Sequence, residues 1–195
     1  MDRMKAVCRV CLLLALTLPA RAETPFSITA LMADLAAVPT RYARFHETKT
    51  LRALAQPVET SGTLVWRRPD HLEKRTLPPH PERLVLDGET LRLAIGDQPV
   101  REITLSAAPP IAALVEAIRA ALAGDLDSLQ RHYSVGLEGD RAAWRLTLVP
   151  TDPEAARFLR VAYIEGSGPD PRVIGFRQTN GDSSVMEIAP APAKP

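Results

Sequence analysis

Hydrophobic and polar residues alternate along most of the chain, and a period of two is typical of strands with one buried face. The alternation is clearest from Val58 to Arg67. There Val58, Thr60, Gly62, Leu64 and Trp66 fall on one side, and mostly polar residues fall on the other. Together with turn residues, the pattern predicts about eleven strands: Arg41 to Leu51, Val58 to Arg67, His71 to Leu77, two within Arg83 to Leu93, Val100 to Ser106, Tyr133 to Glu138, Ala143 to Val149, Arg160 to Gly166, Arg172 to Thr179 and Ser184 to Ile188.

The sharpest turn signal lies between Arg83 and Leu93, where two alternating runs meet at Asp87-Gly88. An Asp-Gly pair readily adopts the positive φ angles that a tight hairpin turn requires. We therefore predict a β-hairpin at this point. Most of the other predicted strands are also separated by turn residues, which favours antiparallel neighbours.

Three segments show helical spacing instead. The first begins after Ser27, a suitable N-cap, and places Ile28, Leu31, Met32 and Leu35 on one face. The second begins at Pro109-Pro110, carries an apolar face with Leu114 and Ile118, and ends at Gly124. Asp125 can cap a third that reaches about His132, and Asp152-Pro153 predicts one helical turn.

Many strands crossed by a few amphipathic helices indicate a mainly β protein with helices, in the α+β class. The sheet must bury one face, and we predict that it curls into an incompletely closed barrel with helices over its mouth, a shape that can hold a small ligand inside. Residues 23–189 are long enough for a single domain of this kind. The short Pro- and Ala-rich end, 190–195, is predicted to be a disordered tail.

Residues 1–22 have the three parts of a cleavable secretory signal: a basic start, an apolar run from Val10 to Leu18, and small residues at Ala20 and Ala22. We therefore expect a periplasmic protein. Both cysteines, Cys8 and Cys11, lie inside this signal, so the mature chain is expected to have no disulfide, no thiol nucleophile and no thiolate metal ligand.

Charge excludes one class of partner. The chain has 24 basic and 23 acidic residues; the signal removes Arg3, Lys5, Arg9, Arg21 and Asp2, which leaves a formal charge of −2. Nucleic-acid-binding proteins normally carry a clear basic excess, so no nucleic-acid partner is expected. We also expect a monomer without a cofactor or a metal site.

Several short stretches, taken in order, resemble the LolA-like periplasmic lipoprotein carriers. They are Phe45-His46-Glu47, Ser61-Gly62-Thr63-Leu64, Arg67-Arg68-Pro69-Asp70, Leu84 to Leu91, Trp144 to Pro150, and the final hairpin around Gly181-Asp182. Each motif is common, but their order behind a signal peptide covers nearly the whole mature chain. The resemblance implies an unclosed antiparallel β-barrel with a helical lid over an apolar cavity. It also implies a carrier (chaperone) that takes acyl chains of a lipoprotein from an inner-membrane transporter to an outer-membrane acceptor.

The resemblance also implies a role for one arginine. In the family, an arginine before a conserved proline bonds to the lid and holds the empty cavity shut, and Arg68-Pro69 occupies that place here. We further hypothesise that apolar residues on strand or lid faces line the acyl cavity: Leu64, Trp66, Leu72, Leu84, Leu86, Leu91, Leu93, Leu114 and Ile118.

Two departures mark a divergent branch. The strand after Arg68-Pro69 reads Asp70-His71-Leu72-Glu73-Lys74-Arg75, where the carriers are rich in aromatic residues, and Glu47 stands where glutamine is usual. The cargo therefore need not be a lipoprotein; a related lipid or acyl conjugate serves the same cavity.

Three other functions fit the sequence less well than a carrier does. An enzyme, for instance a hydrolase, would use His46, His71, His80 or His132, but none lies in a metalloprotease motif and no nucleophile elbow occurs. His46 and Glu47 would point to opposite faces of a strand. The alternative function is a periplasmic lipid sensor or regulatory binding module of the same fold. The resemblance implies that such sensors carry a second domain after the barrel, so this chain would have to act as a sensor without it. A membrane-anchored acceptor would need a lipidated cysteine after its apolar run. We therefore expect a carrier and not an enzyme.

Overall fold

Eleven antiparallel strands form one sheet whose two edge strands remain unpaired with each other, so the barrel is open. The computed structural model describes residues 26–192 and gives the strand order β6-β5-β4-β3-β2-β1-β11-β10-β9-β8-β7. The strands are β1 Thr40–Thr50, β2 Val58–Arg67, β3 His71–Thr76, β4 Glu82–Asp87, β5 Thr90–Ile95, β6 Arg101–Thr104, β7 Tyr133–Gly139, β8 Trp144–Pro150, β9 Leu159–Ser167, β10 Asp170–Gln178 and β11 Ser183–Pro190. The predicted fold class is confirmed.

Within residues 26–192, four α-helices accompany the sheet: α1 Ile28–Ala36, α2 Pro109–Ala123, α3 Leu126–His132 and the single turn α4 Pro153–Ala156. Their ends follow the capping residues. The Ser27 hydroxyl accepts a hydrogen bond from Ala30 N–H at 3.2 Å, and Asp125 accepts one from Ser128 N–H at 2.9 Å. Gly124 ends α2 in the left-handed region at φ 72°, where glycine avoids the cost of a Cβ atom.

The order of the strands explains why helices cover the sheet. The two halves of the sheet are joined where β1 pairs with β11, with Phe45 opposite Ile188. The edges, β6 and β7, are neighbours along the chain, and a 3-10 helix at Leu105–Ala107 followed by α2 and α3 connects them. A connection between opposite edges of a curled sheet has to cross its open side. These helices, together with α1, which packs against α2, therefore form a lid.

The core has two parts beneath the helices. The larger packs Leu31 and Leu35 of α1 against Leu146 and Leu148 of β8 and Ile164 of β9, and each of these five is at most 1% exposed. The smaller consists of Leu86, Leu91 and Leu105, with Leu72, Leu84, Ala112 and Val115 around them. Burying one leucine stabilises the fold by about 1.5–3 kcal/mol, so both parts hold the helices on the sheet.

Local differences from the predictions are small. The strand predicted over Val100 to Ser106 is shorter because Leu105 turns inward in the 3-10 helix, where it is 2% exposed beside Leu86 and Leu91. Strand β11 includes Pro190, and Ala191 N–H donates to the Tyr42 carbonyl at 2.8 Å, so pairing continues past residue 189.

The predicted signal, 1–22, lies outside the described residues, as do positions 193–195 of the predicted tail. Within residues 26–192, no helix is long and apolar enough to cross a membrane.

Candidate functional site

The predicted strand residues of the apolar cavity share one face of β2 to β5. Residues directly opposite each other in antiparallel strands project to the same side, so the register arranges them in two rows. The first row runs across Trp66, Leu72, Leu86 and Leu91, and the second across Leu64, Lys74, Leu84 and Leu93. We call this surface the covered face, because the lid helix α2 lies over its first row.

The two rows differ in how far they are covered. In the first row Trp66 is 2% exposed, Leu86 and Leu91 are fully buried and Leu72 is half-buried. Leu64, Leu84 and Leu93 of the second row are all half-buried. In this conformation a ligand can reach the second row, but it can contact Trp66, Leu86 and Leu91 only if α2 moves away.

On the lid side, α2 contacts the covered face through Ala112 and Val115, which pack beside Leu86, Leu91 and Leu105. Of the two predicted lid residues, Leu114 packs against the larger part of the core, and Ile118 is half-buried. A helical apolar pattern defines a broad stripe, and residues one position apart differ by about 100°. The sequence could not say which edge of the stripe faces which strands.

Two arginines bond to the last turn of α1. Arg68 Nη1 donates to the carbonyl oxygen of Ala36 at 2.8 Å, and Arg41 Nη2 donates to that of Leu35 at 3.0 Å. The terminal carbonyls of a helix lack intrahelical partners and carry partial negative charge, so cations stabilise them. Arg68 had been predicted to bond to the lid; Arg41 had not.

Arg41 is the more buried of the two. Burial lowers the pKa of the Arg41 guanidinium below its ordinary value, and Asp170, with an oxygen 3.5 Å from Nη1, offsets part of that effect. The sequence alone does not single out Arg41. It lies an even number of residues from Phe45 on β1, so both side chains project to the covered side of the strand.

A third arginine ties α2 to the β4–β5 hairpin. Arg119 Nη1 donates to the carbonyl oxygen of Gly88 at 3.3 Å, and Arg119 Nη2 contacts both oxygens of Glu116 at 2.7 Å. Glu89 of the hairpin lies 3.8 Å from the same nitrogen. The lid is thus attached to the sheet on both sides, at α1 through Arg41 and Arg68 and at α2 through Arg119.

An open cavity of about 530 Å³ lies between the β2–β3 turn and helices α2 and α3. Its walls are charged or small rather than the predicted leucines, namely Arg68, Pro69, Asp70, Glu116, Arg119, Ala120, Ala123, Gly124, Asp125 and Ser128. The cavity borders Arg68 and Arg119, two of the arginines that attach the lid, so it lies at the boundary between the lid and the sheet.

Polar groups also occur on the covered face. Glu47 is 2% exposed; its Oε1 accepts a hydrogen bond from the Ser184 hydroxyl at 2.7 Å, and its Oε2 accepts from the Lys74 ammonium and from Thr60 Oγ1 at 3.4 Å. Lys49 Nζ lies 3.6 Å from the same oxygen. We call Glu47, Lys49, Thr60, Lys74 and Ser184 the Glu47 cluster.

The Glu47 carboxylate is held in its ionised form. Burial by itself raises the pKa of Glu47, but attraction to Lys74 and Lys49 and hydrogen bonds from Lys74 and Ser184 outweigh it. The pKa of Glu47 therefore lies below its ordinary 4.5. Glutamine is usual at this position in the family that the sequence resembles, so Glu47 stood out, but its partner Lys74 lies 27 residues away and on a different strand.

The histidines do not converge on one site. His46 is exposed while Glu47 is buried, as expected for neighbours on a strand. His71 Nδ1 lies 2.5 Å from Asp87 Oδ1 between β3 and β4, and His80 and His132 are exposed on other segments. Among residues 26–192, no group of three His, Cys, Asp or Glu side chains could hold a metal ion.

These features define an open, lidded β-barrel with an apolar covered face. The family model described as outer membrane lipoprotein carrier protein LolA-like matches residues 20–194, so the chain belongs to the LolA-like family. Membership indicates binding of a lipid or lipoprotein. No curated protein matches the chain.

Solved structures show distant likeness. A LolA superfamily protein of Nitrosomonas europaea has 10% sequence identity and a TM-score of 0.43, with 89% of this chain and 96% of that one covered. The MucA/MucB complex of Pseudomonas aeruginosa contains a chain with 14% identity and a TM-score of 0.43. That match covers 86% of this chain and 59% of the other.

Proposed function

We propose that this protein is a periplasmic carrier that binds acyl chains of a lipoprotein or a related lipid against the covered face. It collects the cargo at an inner-membrane transporter and delivers it to an outer-membrane acceptor. Binding and release, rather than catalysis, are its activity. The family assignment supports the lipid or lipoprotein cargo, and the two membrane partners follow from the carrier role.

One observation carries the proposal. An apolar sheet face is covered by helices that hydrogen bonds from arginines attach at their margins, Arg68 to Ala36 at 2.8 Å and Arg119 to Gly88 at 3.3 Å. If the helices never left the sheet, these arginine hydrogen bonds at the margins would contribute little, because hydrogen bonds near the surface add only modest stability. A lid that must open and close uses them, since they break at low cost in water.

The energetics suit a reversible carrier. Each methylene that leaves water contributes about 0.8 kcal/mol, so roughly ten buried methylenes contribute about 8 kcal/mol. Opening the lid uncovers Leu86 and Leu91, which are fully buried when it is closed, and that cost is subtracted from the affinity. The closed empty state therefore keeps binding weak enough for the cargo to leave.

The test has two arms. The full chain is expressed with its own N-terminal segment, purified from the periplasm and analysed for bound lipids and lipoproteins by mass spectrometry. The purified protein is then titrated with a fluorescent fatty acid. We expect co-purified acyl lipid and saturable binding. If the purified protein carries no lipid and does not bind the fatty acid, the proposal is refuted.

A matched pair of variants locates the site. Leu64 and Thr63 are neighbours on β2, but Leu64 lies on the covered face and Thr63 is exposed on the outer face. Leu64→Asp should abolish fatty-acid binding because an acyl chain would have to lie against a carboxylate. Thr63→Asp should bind like the wild type. Equal binding by both variants would place the lipid elsewhere.

A further inference from the structure

The Glu47 cluster interrupts the accessible row of the covered face. Lys74 lies directly between Leu64 and Leu84 in the register, and its ammonium is also 4.9 Å from the centre of the Phe45 ring. A surface that served only acyl chains would gain nothing from a charged residue at this place, because burying charge is costly. The position of Lys74 within the row therefore requires an explanation.

The charge that a ligand meets in this cluster is positive. The Glu47 side chain is 3% exposed, and both of its oxygens already accept hydrogen bonds within the cluster. The side chains of Lys74 and Lys49 are 20% and 33% exposed, and each ammonium has three donors. Two lysines against one carboxylate also leave a formal excess of one positive charge.

The residue type is itself informative. Between residues 26 and 192, Lys49 and Lys74 are the two lysines of the chain, while the remaining permanently cationic side chains are arginines. A lysine ammonium is a compact charge on a flexible stem whose methylenes can lie along apolar surface. On the same face, Glu82 lies opposite Thr76 and Arg101 lies opposite Leu93, and these two further charges are of opposite sign.

We infer that the covered face binds acyl chains that carry an anionic headgroup, a carboxylate or a phosphate. The headgroup contacts the ammonium groups of Lys49 and Lys74, and the chain lies along Leu64, Leu84 and Leu93. This inference rests on the proposed function, because it names the chemistry of the cargo that the carrier holds.

Four ligands with the same twelve-carbon chain test it: dodecanoate, dodecyl phosphate, dodecanol and dodecyltrimethylammonium, each titrated calorimetrically below its micelle concentration. We expect the two anions to bind at least about tenfold more tightly than the alcohol, the factor that one charge-assisted hydrogen bond supplies. Comparison of the two anions separates a carboxylate from a phosphate ligand.

The outcomes distinguish the two proposals. Equal affinities for the anions and the alcohol, or a preference for the cation, would overturn the anionic headgroup and leave the acyl carrier standing. If none of the four ligands binds, both proposals fail. An anion preference supports both.

Variants assign the preference to the cluster. The triple variant Glu47→Gln, Lys49→Met, Lys74→Met removes all three charges together, so that no buried charge is left without a partner. It should bind dodecanoate and dodecanol with similar affinity and so lose the preference for dodecanoate. The double variant Lys49→Arg, Lys74→Arg keeps the charge and should keep the preference. A triple variant that still prefers the anion would refute the assignment.

Amine labelling of the wild type gives an independent answer if the triple variant does not fold. An amine-reactive reagent modifies lysines, and mass spectrometry reports each site separately. Dodecanoate should slow the labelling of Lys49 and Lys74 and leave that of Lys194 unchanged, whereas dodecanol should protect them less. Equal labelling with and without dodecanoate at saturation would overturn the proposed contact.

Discussion

Replacing Arg68 with leucine removes one hydrogen bond from the lid and little else. The guanidinium that donates to the Ala36 carbonyl at 2.8 Å is lost, while the backbone hydrogen bond from position 68 N–H to the Pro39 carbonyl at 2.9 Å remains available. A charge-assisted hydrogen bond contributes about 1.5–3 kcal/mol in a protected site. Arg68 is exposed and its bond is screened by water, so about 1 kcal/mol is the appropriate magnitude.

That energy converts directly into lid opening. When the closed state dominates, destabilising it by about 1 kcal/mol raises the open population about fivefold. Apparent affinity for an acyl chain rises by the same factor, because less of the binding energy is used to open the lid. Release slows correspondingly, so Arg68→Leu should hold its cargo and transfer less of it to acceptor vesicles.

The assay titrates a fluorescent fatty acid into the wild type and Arg68→Leu and then follows its transfer to vesicles. Arg67→Leu is the control, because Arg67 is adjacent, exposed and on the outer face of β2. We expect the control to behave like the wild type. If Arg68→Leu binds and transfers as Arg67→Leu does, the attachment of α1 by Arg68 does not regulate the lid.

Two further predictions concern stability. Because the pKa of Glu47 is lowered in the folded state, its stabilisation is complete above the ordinary value of 4.5 and disappears as the pH falls through the lower folded value. In urea denaturation at pH 7, Glu47→Gln should lower the free energy of unfolding by about 1–3 kcal/mol. As the pH is lowered, the free energy of unfolding of the variant should decrease less than that of the wild type. An equal decrease in both would contradict a stabilising ion pair at Glu47. At the junction of α1 and α2, a Cβ atom on Gly124 would lie 2.3 Å from the Met32 carbonyl oxygen, whereas one on Gly96 meets nothing within 4 Å, and both glycines have positive φ. Thermal unfolding should therefore show a larger loss of stability for Gly124→Ala than for Gly96→Ala, by at least about 1 kcal/mol. Equal losses would show that α1 can move to make room for the added Cβ atom without a measurable cost.

Local structure was predicted closely because its causes lie within a few residues of each other. The side-chain cap at Ser27, the left-handed Gly124 and the Asp125 cap set the helix ends, and they occur where they were predicted. The predicted β-hairpin is also present, but its two-residue loop is Gly88-Glu89, since Asp87 pairs with Thr90 and Gly88 alone takes a positive φ there, at 57°. Alternation in Val58–Arg67 likewise gave the buried face of β2, where Gly62 and Trp66 are buried.

The site was predicted less completely. Arg68 was found through the family resemblance, but Arg41 and Arg119 were not, because an arginine that binds a backbone carbonyl leaves no pattern in the sequence. The partner of Arg119 is the carbonyl of Gly88, 31 residues earlier, and any residue presents such an oxygen. The same reason hid Ala112 and Val115, whose contacts depend on the rotation of α2 over the sheet.

The eleven strands, the helices between them and the family could be predicted from the chain, since each depends on the local order of side chains. What those elements enclose follows only from how they pack in three dimensions. Pairing of β1 with β11, 143 residues apart at Phe45 and Ile188, joins the halves of the sheet and brings Ser184 to Glu47. Pairing of β2 with β3 and of β3 with β4 places Lys74 among the leucines. Contacts of this kind arise from the register and curl of the whole sheet, which no short stretch of the chain encodes.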